Sequence, residues 1–241
     1  MRTLQNYSAY TEAEHLSWNK LFKQQVVSVQ GKACKEFLFG LDFLKPLLQD
    51  IPDLNALSKK FKAETGWEII SINGFVNTQE YFKYLYEGYF PVNISLRQTT
   101  NFNFDTVPDI FHDCFGHLPF LTNSQYSKYI KQISKEMLSA TKIEQQYLTN
   151  IYWYTVEAGV CYENNQPRVY GSSQLSSYNE INYVTSGKPK IYLFNIEKIM
   201  QMQIDDHTFQ QEIFAIPNFE FLSEIINQVN WLMNKSKLMV A

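Results

Sequence analysis

Hydrophobic and polar residues alternate along most of the chain with the period of an amphipathic α-helix. Near the start, Thr11 and Glu14 have the spacing of a helix-capping box, and the segment "HLSWNKLFKQQVV" follows them. The apolar positions of that segment that fit a helical period are Leu16, Leu21, Val26 and Val27. The pattern therefore predicts a first helix that begins just after Thr11.

The same reasoning predicts helix over much of the remaining chain, with only short extended segments. Asp53 and Gly66 mark the two ends of one helix, and Asn77 with Glu80 caps the start of another. Helices are predicted over residues 33–48, 53–65, 78–88, 109–115, 124–139, 142–162 and 218–234. Extended segments are predicted at "WEIISI", "FPVNISLR", "RVYG" and "KIYLFN". We therefore expect a mainly α fold with small β elements, in a single domain that spans residues 1–241.

Composition narrows the classes of partner. The chain is 45% hydrophobic, has a net charge of −3 and shows no dense cluster of Lys and Arg, so we expect no nucleic-acid partner. We also expect no membrane association, because no apolar run reaches the roughly 18 residues of a membrane helix. Residues 1–10 lack the apolar core of a secretory signal, and the three cysteines have no framework spacing. Both features are typical of a cytoplasmic protein.

Two of the four histidines lie five residues apart, in "PDIFHDCFGHLP". Pro108 suits the first turn of a helix and Gly116 suits its end. On one continuous α-helix, five residues would separate the rings of His112 and His117 by about 140°. We therefore expect a break at Gly116 to bring the second ring back towards the first. Histidines at this spacing are more often ordinary hydrogen-bonded residues than metal ligands, so a metal site needs a further ligand.

A carboxylate in an apolar run is the candidate for that ligand. Glu157 lies in "NIYWYTVEAGVC", and burial of its charge is costly unless a cation or hydrogen-bond donors meet it. No Lys or Arg lies three or four residues away, so its partner must come from elsewhere in the fold. Either a divalent metal shared with the two imidazoles or a distant Arg, Tyr or Trp would satisfy it. Two histidines and one carboxylate are the facial ligand set of non-haem Fe(II) oxygenases, and zinc hydrolases also use this set.

Several motifs together resemble the pterin-dependent aromatic amino acid hydroxylases. They are "YTEAEHLSW", "TGWEIISINGFV", "SLRQTT", "PDIFHDCFGHLPFL", "IYWYTVEAGVC" and "VYGSSQLSSYNEI", in the order of the family, over roughly residues 7–205. The resemblance implies that family's catalytic domain and a monooxygenase that hydroxylates an aromatic amino acid with O2, Fe(II) and a tetrahydropterin. Conversion of phenylalanine to tyrosine is the leading expectation. The alternatives are tryptophan, another aromatic substrate or ring position and, more distantly, a zinc hydrolase.

The resemblance also implies roles for individual residues. The residues that match iron ligands are His112, His117 and Glu157. Those that match catalytic residues beside the iron are Asp113 and Tyr152. Those that match amino-acid-binding residues are Arg97 and Ser176 for the carboxylate, and Pro108 and Trp153 for the aromatic pocket. Those that match pterin-binding residues are Gly74, Phe75, Val76, Thr78 and Tyr81, the last in place of a stacking phenylalanine.

The chain departs from the family pattern at three positions. Ala158 follows the ligand glutamate where the family commonly has phenylalanine, and Asp105 replaces a threonine that contacts the substrate in many relatives. Ser173 stands where a glycine is common. The first two departures leave the identity of the ring substrate open. We further expect neither the N-terminal regulatory domain nor the C-terminal tetramerisation coiled coil of the animal enzymes, and therefore a monomer.

Overall fold

The computed structural model describes residues 2–97, 108–205 and 208–240, with side chains as far as residue 233. The α-helices in these ranges are α1 (Glu12–Ser28), α2 (Lys35–Leu44), α3 (Leu54–Thr65), α4 (Thr78–Glu87), α5 (Ser124–Ser139), α6 (Lys142–Tyr152), α7 (Ser172–Leu175), α8 (Tyr178–Val184), α9 (Ile196–Met200) and α10 (Leu222–Val240). The strands are β1 (Glu68–Ile72), β2 (Tyr89–Asn93), β3 (Gly159–Glu163), β4 (Gln166–Val169), β5 (Lys190–Leu193) and β6 (Glu212–Ile216). The expected mainly α fold with small β elements is confirmed.

The helix-start signals read from the sequence form the expected hydrogen bonds. Thr11 and Glu14 make the complete capping box, in which a Glu14 carboxylate oxygen accepts from the Thr11 N–H at 2.7 Å. The side chain of Asn77 accepts from the Glu80 N–H at 3.0 Å and begins α4. Gly66 ends α3 in the left-handed conformation, with φ of 77°, which glycine adopts without a steric penalty.

The buried face of α1 agrees only in part with the apolar period read from the sequence. Leu21 is buried and Val26 is half-buried, but Leu16 and Val27 are 64% and 72% exposed. The residues of α1 that are buried are Trp18, Leu21, Phe22, Gln25 and Ser28. This face is buried because Trp18 packs edge-on against Phe111 and donates its indole N–H to the Leu48 carbonyl at 2.9 Å.

The strands form two small sheets. β1 and β2 pair in parallel, and the second sheet has the strand order β4-β3-β6-β5. In that sheet β3 is antiparallel to β4 and parallel to β6, and β5 is parallel to β6. The single helix predicted over residues 142–162 is therefore wrong, because α6 ends at Tyr152 and β3 begins at Gly159. Strand β6, in "EIFAI", was not predicted.

Aromatic side chains fill the core beneath the histidine segment. Phe111 and Phe115 stack with ring centroids 5.1 Å apart, and Phe22 and Phe37 pack against Phe115 from α1 and α2. All four rings are buried. The backbone that carries the two histidines is thus supported by apolar packing on its inner side. Among the described residues, no helix combines the length and the hydropathy that a membrane crossing requires.

We expect Gly40→Ala to destabilise the fold although alanine is the better helix former. A Cβ added at Gly40 in α2 would lie 1.9 Å from the carbonyl oxygen of Pro119, which is backbone and cannot move aside easily. The gain in helix propensity is about 1 kcal/mol, whereas overpacking costs typically 1–3 kcal/mol or more. Urea denaturation measures the net effect. Asp42→Ala, at an exposed position of the same helix, is the control and should be close to neutral. A Gly40→Ala protein as stable as the parent would contradict the close approach of Gly40 to the Pro119 carbonyl.

Candidate metal centre

Both segments that carry the candidate ligands are single turns of π-helix. They span His112–His117 and Trp153–Glu157. In a π-helix the hydrogen bonds join residues five apart, so His112 and His117 lie one turn apart on the same face. The expected break at Gly116 is therefore wrong. The two rings converge because the turn is wider than an α-turn, and π-turns are frequent at functional sites.

Gly116 has a different structural role from the predicted one. A Cβ at this position would lie 2.7 Å from the carbonyl oxygen of Ser172, at the start of α7. Gly171 is equally confined, because its Cβ would lie 2.4 Å from the Glu157 carbonyl oxygen. These two glycines let α7 pack closely against both π-turns. The close packing brings Ser172 and Ser176 into contact with the candidate ligands.

The three candidate ligands converge on one point. The Nε2 atoms of His112 and His117 are 3.0 Å apart. Glu157 places one oxygen 3.3 Å from Nε2 of His117 and the other 3.7 Å from Nε2 of His112. Two donors that bind one metal at about 2.1 Å and at right angles are about 3 Å apart. The spacing therefore fits an ion held by three donors on one side, with the opposite side left for other ligands.

The carboxylate and the two imidazoles shift one another's pKa values. Burial alone would raise the pKa of Glu157, but the two imidazoles and a hydrogen bond from Ser172 at 2.7 Å hold it at about 2. Burial, together with the charge of His117, lowers the pKa of His112 to about 4. Burial also acts to lower the pKa of His117, but Glu157 outweighs it and raises that pKa. At neutral pH the site thus offers an ionised carboxylate and at least one neutral imidazole, as a divalent ion requires.

The ring of His112 is oriented by a serine on its outer side. Ser176 Oγ lies 2.9 Å from Nδ1 of His112. If this Nδ1 carries the proton and donates it to Ser176, then Nε2 has a free lone pair towards Glu157 and His117. The predicted substrate-binding Ser176 is thus in direct contact with a candidate ligand. Its carbonyl oxygen also accepts from Nη1 of Arg97 at 3.4 Å.

A second carboxylate lies near the two imidazoles. Ligand atoms of His112, Asp113 and His117 all lie within 4.8 Å of one another. However, Asp113 Oδ2 accepts the backbone N–H of Asn93 at 2.7 Å, and burial raises its pKa to about 7. Glu157 is nearer to both ring nitrogens and is fully ionised. We therefore favour Glu157 as the third ligand, with Asp113 adjacent to it.

An aspartate that sequence reasoning missed holds Arg97. Asp109 accepts from Nε and Nη2 of Arg97 at 2.8 and 2.7 Å, and both side chains are almost fully buried. Burial would raise the pKa of Asp109, but Arg97 and two backbone N–H groups hold it below its usual value. One of those N–H groups belongs to His112, at 2.8 Å. The "PD" helix start in the sequence was the available signal for this residue.

The residues predicted to bind the pterin are four residues of an open loop and one half-buried ring. Gly74 has φ of 76°, and the position of its missing Cβ has no neighbouring atom within 4 Å. Phe75 is 73% exposed, Val76 is half-buried and Thr78 is exposed. The half-buried Tyr81 places its hydroxyl 3.0 Å from that of Tyr152.

The remaining residues are those that the sequence predicts near the substrate. Pro108 is exposed, and its carbonyl oxygen accepts from the Asn93 side chain at 3.0 Å. Trp153 begins the second π-turn, and its buried indole N–H has no hydrogen-bond partner among the described residues. Asp105, with its neighbour Thr106, falls in 98–107, outside the described residues. Ala158 is buried next to Glu157.

Comparisons with known proteins identify the relatives of this chain. Residues 5–239 match the family model of the biopterin-dependent aromatic amino acid hydroxylases. The phenylalanine-4-hydroxylase of Chromobacterium violaceum is 34% identical over 215 residues, which cover 88% of this chain and 72% of the relative. A crystal structure of the enzyme from that organism, with bound iron(III) and 7,8-dihydrobiopterin, superimposes with a TM-score of 0.90 at 32% identity, over 97% of this chain and 86% of that one. Another, with iron and phenylalanine bound, gives 0.85 at 32% identity, over 94% and 82%.

The fold, with two histidines and a glutamate that converge on one point, is typical of a mononuclear non-haem metal protein. The family model, which matches residues 5–239, identifies the class of protein more narrowly than the fold and the site do. This chain belongs to the biopterin-dependent aromatic amino acid hydroxylases.

Proposed function

We propose that this protein is an iron- and tetrahydropterin-dependent monooxygenase that hydroxylates L-phenylalanine to L-tyrosine. The observation that carries the proposal is the convergence of His112, His117 and Glu157 within 3.7 Å of one another. Family membership and the similarity to phenylalanine-4-hydroxylases support the reaction and the substrate. Iron and the tetrahydropterin together supply the activation of O2, which no side chain provides.

In this proposal His112, His117 and Glu157 would hold the iron. His112 and His117 contribute neutral nitrogen donors, and Glu157 contributes a negative charge that favours the higher oxidation states of iron. Ser176 and Ser172 keep His112 and Glu157 in orientation through the hydrogen bonds described above. Asp113 and Tyr152 are proposed to act beside the metal, where the buried Asp113 carboxyl can hold a proton near neutral pH.

The amino acid is proposed to bind between Arg97 and the metal. The planar guanidinium suits a carboxylate, and Asp109 fixes its orientation through two hydrogen bonds. Ser176 contributes to the same subsite. Pro108 and Trp153 are proposed to line the aromatic pocket, which orients the ring of the substrate towards the metal. Arg97 is thus proposed to bind the substrate and Asp109 to position Arg97.

The pterin is proposed to lie on the loop of residues 74–78 and against the ring of Tyr81. The open space at Gly74 suits the close approach of a flat heterocycle to the backbone, since any larger residue would fill it. Asn93 ties this loop to the metal segment, because its side chain donates to the Gly74 carbonyl while its N–H donates to Asp113. Gly74, Phe75, Val76 and Thr78 would contribute backbone contacts, and Tyr81 would stack.

Tyr81→Ala is expected to raise the KM for the tetrahydropterin by about tenfold, because it removes the stacking surface. Tyr81→Phe keeps that surface and loses only the hydrogen bond to Tyr152, so its KM should stay within about threefold of the parent. Steady-state kinetics at saturating phenylalanine measure both values. Equal KM values in the Ala variant and the parent would remove Tyr81 from the pterin site.

An aerobic assay with Fe(II), a tetrahydropterin and each aromatic amino acid in turn tests the proposed function. The expected product is tyrosine from phenylalanine, identified by mass and retention time. The substrate comparison is needed because Ala158 replaces a larger family residue and changes the pocket volume. Metal analysis after purification without added metal distinguishes iron from zinc. Zinc retention without pterin-dependent oxygen uptake would favour the hydrolase alternative.

We also propose that residues 1–241 form one catalytic domain that acts as a monomer in the cytoplasm. The cysteines support a reducing compartment, because Cys34, Cys114 and Cys161 are buried free thiols. Burial raises the pKa of the Cys34 and Cys114 thiols, which keeps them protonated and unreactive. Light scattering during gel filtration measures the mass. A dimer or tetramer mass would contradict the monomer.

A further inference from the structure

The first turn of α8 carries a glutamate whose carboxylate has no hydrogen-bond or ion-pair partner among the described residues. Ser177 and Glu180 have the spacing of a capping box, and Ser177 Oγ accepts from the Glu180 N–H at 3.3 Å. In a complete box the glutamate carboxylate accepts the return bond from the N–H of the capping residue. That return bond is missing in α8. The Glu180 carboxylate is therefore available to another partner.

Two other helices show that this chain closes such boxes elsewhere. The Glu14 carboxylate accepts from the Thr11 N–H at 2.7 Å at the start of α1, and the Glu144 carboxylate accepts from the Thr141 N–H at 2.7 Å at the start of α6. Of these three helix starts, only that of α8, beside the candidate site, lacks the return hydrogen bond. The difference is not explained by local sequence, since all three have Ser or Thr followed three residues later by Glu.

Glu180 lies within electrostatic range of both ends of the candidate substrate site. Burial raises its pKa to about 7, while the positive charge of Arg97 acts to lower it and the negative charge of Glu157 acts to raise it. Glu180 also follows closely on Ser176, which contacts both Arg97 and His112. A carboxylate in this half-buried position without a partner is stabilised by any cation that enters the pocket.

An amino acid substrate brings such a cation to this position. Its ammonium and carboxylate groups share one carbon atom, so an amino acid whose carboxylate binds Arg97 has its ammonium a few Å away. Among the described residues, the other acids near this site are engaged. Asp109 uses both oxygens on Arg97, Asp113 accepts from the Asn93 N–H, and Glu157 contacts the imidazoles. Glu180 is the remaining carboxylate of this group.

We propose that Glu180 binds the ammonium group of the amino acid substrate. Arg97 and Glu180 then form a pair of opposite charges that selects a zwitterionic α-amino acid over an aromatic carboxylic acid without an amino group. This inference rests on the proposed function, because it takes the substrate to be an amino acid bound at Arg97.

The test is Glu180→Gln, which keeps the shape of the side chain and removes its charge. The KM for phenylalanine should rise about tenfold or more, as expected for loss of a charge-assisted contact, while kcat stays within about twofold and iron content is unchanged. The inhibition constant of 3-phenylpropionate, which lacks the ammonium group, should not rise. Glu14→Gln, at the closed box of α1, is the matched control and should leave both values unchanged.

Two results would overturn the inference. One is an unchanged KM for phenylalanine in Glu180→Gln. The other is a parallel rise in the KM for phenylalanine and the inhibition constant of 3-phenylpropionate, because Glu180 would then act only by positioning Arg97. If the parent protein does not hydroxylate phenylalanine, the proposed function fails separately. Equilibrium dialysis of phenylalanine against the parent and Glu180→Gln then tests the ammonium contact by itself, and equal affinities would overturn it.

Discussion

Glu157→Gln is expected to yield a folded protein that has lost its iron and its phenylalanine hydroxylation. Glutamine is nearly the same size but has no negative charge, so one of three donors becomes a weak ligand. Loss of residues that only support metal ligands typically costs 10–100-fold in metal affinity, and loss of a ligand is expected to exceed about 100-fold. Metal analysis, thermal unfolding and product analysis measure the three properties separately.

The fold should survive this change because the two imidazoles can remain buried without the negative charge of Glu157. The pKa of His112 is about 4, so this ring is already neutral at pH 7. Without Glu157, burial lowers the pKa of His117 as well, and both rings are then neutral. Glu180→Gln, the nearby change that should leave the metal in place, is the matched control for iron content. A Glu157→Gln protein with full iron and a normal rate would exclude Glu157 as a ligand and favour Asp113.

Arg97→Ala is expected to weaken both substrate binding and the fold. Loss of a charge-assisted contact to the substrate carboxylate, worth about 1.5–3 kcal/mol, raises the KM for phenylalanine roughly 10- to 150-fold. The same change leaves Asp109 buried without its cation, which typically costs about 3–5 kcal/mol of stability. We expect the lower end of that range, because two backbone N–H groups still bond to Asp109. Urea denaturation and steady-state kinetics measure the two effects.

A double variant separates the two effects of the arginine. Arg97→Ala combined with Asp109→Asn removes the unpaired charge, so stability should recover in part while the KM stays high. An unchanged KM in Arg97→Ala would show that the substrate carboxylate is held elsewhere. If the double variant were less stable than Arg97→Ala, the buried unpaired charge of Asp109 could not be the cause of the lost stability.

Local signals in the sequence were sufficient for most helix starts and for the identity of the candidate ligands. The capping residues Thr11 and Asn77 and the terminal Gly66 depend on hydrogen bonds within a few residues, and all three occur as expected. The histidine pair and Glu157 were selected by residue type and by the cost of burying a charge.

Features that depend on distant residues could not be predicted in this way. The convergence of the histidines was assigned to a helix break, because a sequence gives no sign of a π-turn, and the role of Gly116 appears only when α7 packs against it. Likewise, the exposure of Leu16 and Val27 could not be predicted, because Phe111 and Leu48, far along the chain, decide which side of α1 is buried. The pairing of Arg97 with Asp109 was missed because either residue alone is compatible with a solvated position.

The arginine and His112 are joined by two independent bridges. Asp109 binds the side chain of Arg97 and the backbone N–H of His112, while Ser176 contacts Arg97 through its carbonyl and His112 through its hydroxyl. A ligand that engages Arg97 therefore acts on the same groups that orient one metal donor. Thermodynamic linkage makes any such influence mutual: whatever factor an amino acid imposes on metal affinity, the metal imposes on amino acid affinity. Occupancy of one subsite thus changes the affinity of the other subsite for its own ligand.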